Sequence, residues 1–122
     1  MKKTKTNNKP IVAVDYDGVL NQYDGWRGEN HLPKPIKGVK YFLQKLSEDY
    51  NVVIFTCRDH GAVRRWLQKH GLDDYVYAVT MTKPRAVAYI DDRAICYDGS
   101  YSEVLDKLSS FRTWWEEDYD DI

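Results

Sequence analysis

Three short segments of the sequence combine carboxylates with a hydroxyl at close spacing. Asp15 and Asp17 stand two residues apart in DYDGV, Thr56 follows NVVIF, and Asp91 and Asp92 are adjacent in YIDD. Carboxylates gathered at one place repel one another unless a cation lies among them, and Mg²⁺ prefers oxygen ligands. An aspartate carboxylate also serves as a phosphoryl acceptor in some enzymes. These residue types therefore predict metal-assisted phosphoryl chemistry, provided that the fold brings the segments together.

Short apolar runs precede each polar segment and predict the strands that position them. Ile11–Val14 and Asn51–Phe55 are rich in β-branched residues, which is typical of strands buried on both faces. Further strands are expected over 75–79 and 86–90, with a fifth over 94–97.

Three helices are predicted from apolar side chains that recur every three or four residues. The first begins at Pro35 and carries Ile36, Val39, Phe42, Leu43 and Leu46. The second ends at Gly71 and carries Val63, Trp66, Leu67 and His70. The third carries Tyr101, Val104, Leu105, Leu108, Phe111 and Trp115. Alternating strands and helices predict an α/β fold, a three-layer sandwich with a parallel Rossmann-like sheet.

The carboxyl ends of the strands are where such sheets bind ligands. Asp15, Thr56 and Asp91 each follow a predicted strand, so they are expected at that edge, and Lys83 lies in the loop that enters the fourth strand. A lysine, a hydroxyl and a metal ion around a phosphoryl group stabilise the charge that develops during its transfer.

The ordered set of DYDGV, Thr56, Lys83 and Asp91-Asp92 resembles the haloacid dehalogenase (HAD) superfamily of phosphatases. The resemblance covers roughly Ile11 to Tyr97. It implies the strand order 5-4-1-2-3 and hydrolysis of a phosphomonoester through an aspartyl-phosphate. Most members carry a large cap over the site, and here only Asn21–Lys34 has room for a flap.

The resemblance implies a role for each matching residue. Asp15 is the nucleophile and a ligand of Mg²⁺. Asp17 is the general acid and base, and its backbone carbonyl binds the metal. Thr56 hydrogen-bonds the phosphoryl oxygens, while Lys83 steadies the nucleophile and the phosphoryl charge.

The metal ligands after the fourth strand are expected to be Asp91 and Asp92, of which Asp91 is favoured for direct contact. Lys83 is less securely placed, because 81–85 leaves little room for the helix that usually follows this lysine. Taken singly, Asp92 is also explained as a partner of Arg93, and Lys83 as an exposed lysine before Pro84.

A narrower resemblance concerns the substrate. Thr56-Cys57-Arg58 and YIDDR are similar to the phosphatase half of phage-type polynucleotide kinases and to small phage and bacterial phosphatases. This implies that Arg58 contacts the phosphate, and that the substrate is a nucleotide or a nucleic-acid 3′-phosphate end. In the flap, Trp26 and Arg27 either stack on a base or pack the flap down.

Other interpretations of these residues fit the pattern less well. A calcium loop needs a glycine at its sixth position between two helices, whereas Gly18 is fourth and follows a strand. In a phosphoacceptor receiver domain the acidic pair precedes the acceptor. Six residues separate Cys57 from Arg64, one more than in a cysteine phosphatase loop. A catalytically silent binding module with the HAD fold remains the alternative function.

Length and composition bound the remaining expectations. The chain has 122 residues, which predicts one domain over 1–122 with a core at about 10–115 and polar tails at 1–9 and 116–122. The net charge of −1 gives no global attraction to nucleic acid or to an anionic membrane. With no signal peptide and no membrane-spanning stretch, we expect a cytoplasmic protein with two reduced cysteines and no membrane partner. The oligomeric state is not predicted.

Overall fold

A four-stranded parallel sheet forms the centre of the protein, in a computed structural model that describes residues 9–116. The strands are β1 (Ile11–Asp15), β2 (Asn51–Phe55), β3 (Ala78–Thr80) and β4 (Ala88–Ile90), in the order β3-β2-β1-β4. The predicted α/β class and parallel sheet are confirmed, and so is the order of these four strands. The predicted tails fall largely at 1–8 and 117–122, which lie outside the described residues.

Helices lie on both sides of this sheet. They are α1 (Val39–Asp49), α2 (His60–Lys69) and α3 (Tyr101–Ser109), with a short 3₁₀ helix at Asp73–Tyr75. Two βαβ crossovers, β1-α1-β2 and β2-α2-β3, advance the same way across the sheet. Because such crossovers are right-handed, α1 and α2 share one face.

The hydrophobic core fills the space between the sheet and these two helices. Val14 and Ile54 from the strands and Leu43 and Leu67 from the helices are each fully buried. Burying one such side chain contributes about 1.5–3 kcal/mol. The strands are therefore held firmly against α1 and α2, and so are the residues at their carboxyl ends.

The predicted fifth strand is wrong, because 94–97 pairs with no strand. The Tyr97 ring instead stacks on Tyr101 of α3, with 5.3 Å between ring centroids. Of the expected order 5-4-1-2-3, the described residues contain the last four strands, in the order 4-1-2-3.

Several predicted boundaries are also corrected. Tyr75 ends the 3₁₀ helix, so β3 begins later than expected, at Ala78. The third helix ends at Ser109, and Phe111 and Trp115 follow it in the chain. Its predicted apolar face is exposed, since no residue of α3 is buried.

The segment 21–34 forms a flap whose base is closed by backbone pairing. Pro35, expected to begin the first helix, instead forms an antiparallel bridge with Asn21, and α1 begins at Val39. The Gln22 amide donates to the Lys34 carbonyl at 2.8 Å. The expected absence of a large cap is confirmed. Among the described residues, no helix is long and apolar enough to cross a membrane.

Candidate active site

Three carboxylates meet at the carboxyl edge of the sheet. Val14 and Ile90 are partners in the β1–β4 ladder, so the residues that follow them, Asp15 and Asp91, emerge side by side. Asp92 is next in the chain. One carboxylate oxygen from each of the three lies within 4.8 Å of the others. Asp15, Asp91 and Asp92 are called the carboxylate cluster below.

The electrostatics of the carboxylate cluster favour a bound proton or a bound cation. Burial raises the pKa of Asp15 to about 8, reinforced by a hydrogen bond shared with Asp92 and by the negative charge of Asp91. Oδ1 of Asp92 is buried and receives no hydrogen bond from the described residues. A buried carboxylate oxygen without a donor is unfavourable. A divalent cation among these oxygens removes both problems.

A tight loop after β1 allows Asp92 to approach. Gly18 has a φ of +82°, a conformation that favours glycine. A Cβ atom at this position would lie 2.2 Å from Oδ2 of Asp92, so a side chain here would displace that carboxylate. Asn21, fully buried, accepts a hydrogen bond from the Gly18 amide at 3.1 Å and fixes the loop.

The carboxylate of Asp17 is hydrogen-bonded to Asn21 and Arg58, which lie outside the carboxylate cluster. Its Oδ1 accepts a hydrogen bond from Nδ2 of Asn21 at 2.9 Å, and its Oδ2 accepts one from Nε of Arg58 at 2.7 Å. The Asp17 carboxylate is therefore fixed beside the cluster and outside it. The expected contact of its backbone carbonyl with a metal stays a prediction.

Arg58 is buried beneath the flap, with an exposed fraction of 1%. Besides the bond from Nε to Asp17, its Nη1 donates to the carbonyls of Gly28 and Glu29, both at 3.3 Å. The Trp26 ring lies against the guanidinium, whose carbon is 4.7 Å from the ring centroid. Arg58 thus joins Asp17 to the flap. Its expected contact with a phosphate stays a prediction.

Thr56 lies at the end of β2 and is buried. Its backbone amide donates to the Thr80 carbonyl at 3.0 Å, and its Oγ1 accepts from the Arg58 amide at 3.1 Å. The hydroxyl hydrogen remains for another acceptor, which is what a phosphoryl oxygen requires.

Two residues predicted for the site are turned elsewhere. Nζ of Lys83 lies 4.7 Å from the centroid of the Tyr89 ring, and the lysine is exposed. Arg27 pairs with Asp24 through two hydrogen bonds of 3.0 and 2.9 Å. Within residues 9–116, neither cation forms an ion pair with the carboxylate cluster. For Lys83 the reason is the short connection 81–87, which carries no helix to bring the lysine over the edge.

Two tryptophans that the sequence analysis did not place among the site residues contact the site. The indole nitrogen of Trp115 donates to Oδ2 of Asp92, and that of Trp114 donates to the Gly18 carbonyl at 2.7 Å. The Trp115 ring also meets Tyr23 edge to face at 4.9 Å. An indole N–H favours an acceptor nearby, and the sequence offers no more specific signal for these contacts, one of which belongs to the largely exposed Trp114.

Comparison with known proteins supports the fold class and assigns no family or function. No protein family matches the chain, and no curated protein matches it. A solved structure of a conserved protein coded by a locus from Bacteroides thetaiotaomicron is similar, with a TM-score of 0.57 and 20% identity over 88% of this chain and 95% of that one. At this identity the likeness supports the α/β fold alone.

The arrangement as a whole offers defined chemistry at one edge. It places a cluster of three carboxylates beside a separately held carboxylate, Asp17, and a buried hydroxyl, Thr56. Such a set can hold a divalent cation, present an oxygen nucleophile, and exchange a proton with a bound molecule.

Proposed function

We propose that this chain is a magnesium-dependent hydrolase of phosphate monoesters that forms an aspartyl-phosphate on Asp15. The observation that carries the proposal is the approach of Asp15, Asp91 and Asp92 to within 4.8 Å at the carboxyl edge of a parallel sheet. The resemblance of DYDGV and Asp91-Asp92 to the HAD phosphatases adds the assignment of the nucleophile.

The donor set fits Mg²⁺. Every atom that the carboxylate cluster offers is a carboxylate oxygen, the ligand type that Mg²⁺ prefers. The unpartnered Oδ1 of Asp92 gains a partner when a cation binds. Asp15, Asp91 and Asp92 would hold the ion, which neutralises charge on the phosphoryl oxygens when it is bound.

The first step transfers the phosphoryl group to the protein. A carboxylate oxygen of Asp15 forms a bond to phosphorus, and the ester P–O bond breaks. The leaving oxygen takes a proton from Asp17, and the Thr56 hydroxyl donates a hydrogen bond to a phosphoryl oxygen. Each oxygen of Asp17 already accepts one hydrogen bond, from Asn21 or from Arg58, so the proton occupies a lone pair that neither donor uses.

The second step releases phosphate. Water attacks phosphorus, Asp17 takes a proton from the water, and the P–O bond to Asp15 breaks. Asp15 and inorganic phosphate are regenerated, and the proton on Asp17 is ready for the next leaving group. A positioned acid and base of this kind contributes about 10²–10⁴ in rate.

The substrate class that fits is a phosphorylated small molecule such as a nucleotide, or a nucleic-acid 3′-phosphate end. Both can reach a site over which the described residues form no large cap. Cys57 and Cys96 are free, which fits a reducing compartment such as the cytoplasm.

One observation favours the alternative, a catalytically silent binding module with the same fold. Lys83 lies over Tyr89 rather than beside Asp15, and a phosphatase of this class needs a cation near its nucleophile. A module of this kind would bind Mg²⁺ or phosphate without turnover.

Hydrolysis of p-nitrophenyl phosphate with and without Mg²⁺ separates the two functions. The proposal predicts turnover that needs Mg²⁺ and that Asp15→Asn lowers at least about 10³-fold, since the nucleophile is lost. Asp106→Asn is the matched control, because Asp106 is an exposed carboxylate on α3. Equal turnover by Asp15→Asn and the control rejects the nucleophile. Absence of turnover in the wild-type protein, with Mg²⁺ binding intact, favours the module.

A further inference from the structure

A cavity lies on the flank of α2, apart from the carboxylate cluster. It has a volume of about 860 Å³ and is lined by the flap, by Pro35, Ile36 and Lys37 ahead of α1, and by one face of α2. Trp66 and Leu32 form part of its apolar wall. This volume falls within the range of about 300–1,000 Å³ that is typical of ligand sites. It is called the α2 cleft below.

The α2 cleft is lined by an excess of positive charge. Lys34, Lys37, Arg65 and Lys69 all border it and are exposed, while Glu29 is its only carboxylate among the lining residues of the described chain. The chain as a whole has a net charge of −1, so this concentration of cations is local. A concave surface of one sign attracts ligands of the opposite sign.

Within residues 9–116, none of the four cations forms an ion pair with a carboxylate. Neighbouring arginines are paired, since Arg58 binds Asp17 and Arg64 binds Asp73. Four unpaired cations around one cavity form a site that an anion with several charges would complete.

The α2 cleft adjoins the surroundings of Arg58 through Glu29. Asp59, the residue after Arg58, caps the N-terminus of α2, and its amide donates to the Glu29 side chain at 3.0 Å. The Glu29 carbonyl accepts from Arg58 while the same residue lines the cleft.

We propose that the α2 cleft binds the sugar–phosphate backbone of a single-stranded nucleic acid. Its cations contact successive phosphates, which fixes the strand without reading its sequence. A cavity of about 860 Å³ in the small-molecule range takes one strand rather than a duplex. The further statement that the terminal phosphate of this strand reaches Asp15 rests on the proposed function and deepens it: the substrate is then a polynucleotide end.

The test measures binding separately from turnover. A fluorescein-labelled ten-nucleotide oligothymidylate with a 3′-phosphate is titrated with Asp15→Asn protein, so that no hydrolysis interferes. The cleft variant adds Lys37→Gln and Lys69→Gln. The control adds Lys40→Gln in the first turn of α1 and Lys107→Gln in the last turn of α3. These changes remove the same charge, and neither residue lines the cleft. Thermal unfolding checks that both variants are folded.

The expected result is a Kd at least about tenfold weaker for the cleft variant, and within about twofold for the control. Loss of two phosphate contacts also lowers the slope of log K against log salt by about 1.4, at about 0.7 per contact on a single strand. Equal weakening in both variants overturns the proposal, and so does an absence of oligonucleotide binding.

Two further measurements distinguish this proposal from binding of a small polyphosphate and from the proposed catalytic function. If tripolyphosphate competes as well as the oligonucleotide at equal phosphate concentration, the ligand is a small polyphosphate and the proposal is wrong. Turnover of p-nitrophenyl phosphate, measured with Lys40→Gln and Lys107→Gln in protein that retains Asp15, should be unaltered. Failure of that turnover in wild-type protein rejects the proposed function and leaves the binding result standing on its own.

Discussion

The indole N–H of Trp115 donates a hydrogen bond to Oδ2 of Asp92, which ties the segment after α3 to the carboxylate cluster. The other oxygen of Asp92, Oδ1, is buried and has no donor among the described residues. Trp115 therefore engages one oxygen of Asp92 and leaves the other to face a cation. Partners of this kind orient metal ligands, and their loss typically lowers metal affinity about 10–100-fold.

Trp115→Phe tests this role. We expect the Mg²⁺ concentration for half-maximal activity to rise about 10–100-fold, with most of kcat recovered at saturating Mg²⁺. Trp114→Phe is the comparison, because it loses a bond to the Gly18 carbonyl rather than to a carboxylate. An unchanged Mg²⁺ dependence in Trp115→Phe contradicts the role assigned to the indole.

Gly18→Ala is expected to disrupt the site by displacing Asp92. The added Cβ would lie 2.2 Å from Oδ2 of that residue. Gly38→Ala is the matched control, since Gly38 has a φ of +91° against +82° at Gly18 and nothing within 4 Å of its Cβ position. Both variants should lose about 1 kcal/mol or more from backbone strain.

Only Gly18→Ala should also lose Mg²⁺ binding, measured by calorimetry. Equal Mg²⁺ affinity in the two glycine variants would show that Asp92 does not need to approach Gly18.

The pH dependence of stability follows from Asp15. Its pKa is raised from 3.8 to about 8 without metal, first by burial, so the folded protein holds a proton that the unfolded chain has released. Between these two values, raising the pH therefore lowers the free energy of unfolding. We expect the unfolding temperature of metal-free protein to fall from pH 5 to pH 8, and Mg²⁺ to restore it by replacing the proton.

Asp15→Asn supplies the reference for that measurement, because it carries no titrating group at this position. As the pH rises from 5 to 8, the unfolding temperature of the metal-free wild-type protein should fall relative to that of the variant. A difference that is constant across the range excludes a raised pKa at Asp15.

Arg58→Lys keeps the charge and loses the planar fork that contacts Asp17 and the flap carbonyls. Disrupting this buried pair should lower the free energy of unfolding by about 3 kcal/mol. Trypsin should also cleave the flap faster after Arg27, because Gly28 and Glu29 lose the hydrogen bonds that hold them.

Arg64→Lys is the control, at a half-exposed pair with Asp73. It should change the free energy of unfolding by less than about 1 kcal/mol and leave the flap resistant to trypsin. Equal cleavage in both variants contradicts the anchoring role.

The sequence predicted the central strands and the carboxylates that follow them. The apolar runs Ile11–Val14, Asn51–Phe55 and 86–90 located β1, β2 and β4, and the rule for parallel sheets then placed their carboxyl ends at one edge. From that placement alone, the approach of Asp15 to Asp91 was foreseeable. Composition carries this information because strands that are buried on both faces need continuous apolar runs.

Side-chain direction was not predictable in the same way. Whether Arg58 turns to a phosphate or to Asp17 depends on tertiary packing beneath the flap, and no local pattern encodes it. Trp115 lies past the end of α3, so its helical spacing suggested a face that the chain does not form. The run 94–97 has strand-like composition, yet in the structure it pairs with no strand and its Tyr97 stacks on Tyr101 of α3.

A crystal structure of the protein with Mg²⁺ and beryllium fluoride is the most direct test of the whole account. We predict a fluoroberyllate group attached to a carboxylate oxygen of Asp15, and an ion that contacts Asp15 together with Asp91 or Asp92. Ion density elsewhere, or an Asp15 carboxylate that stays bare at saturating concentrations of both ligands, would contradict the assignment of this aspartate as the phosphoryl acceptor.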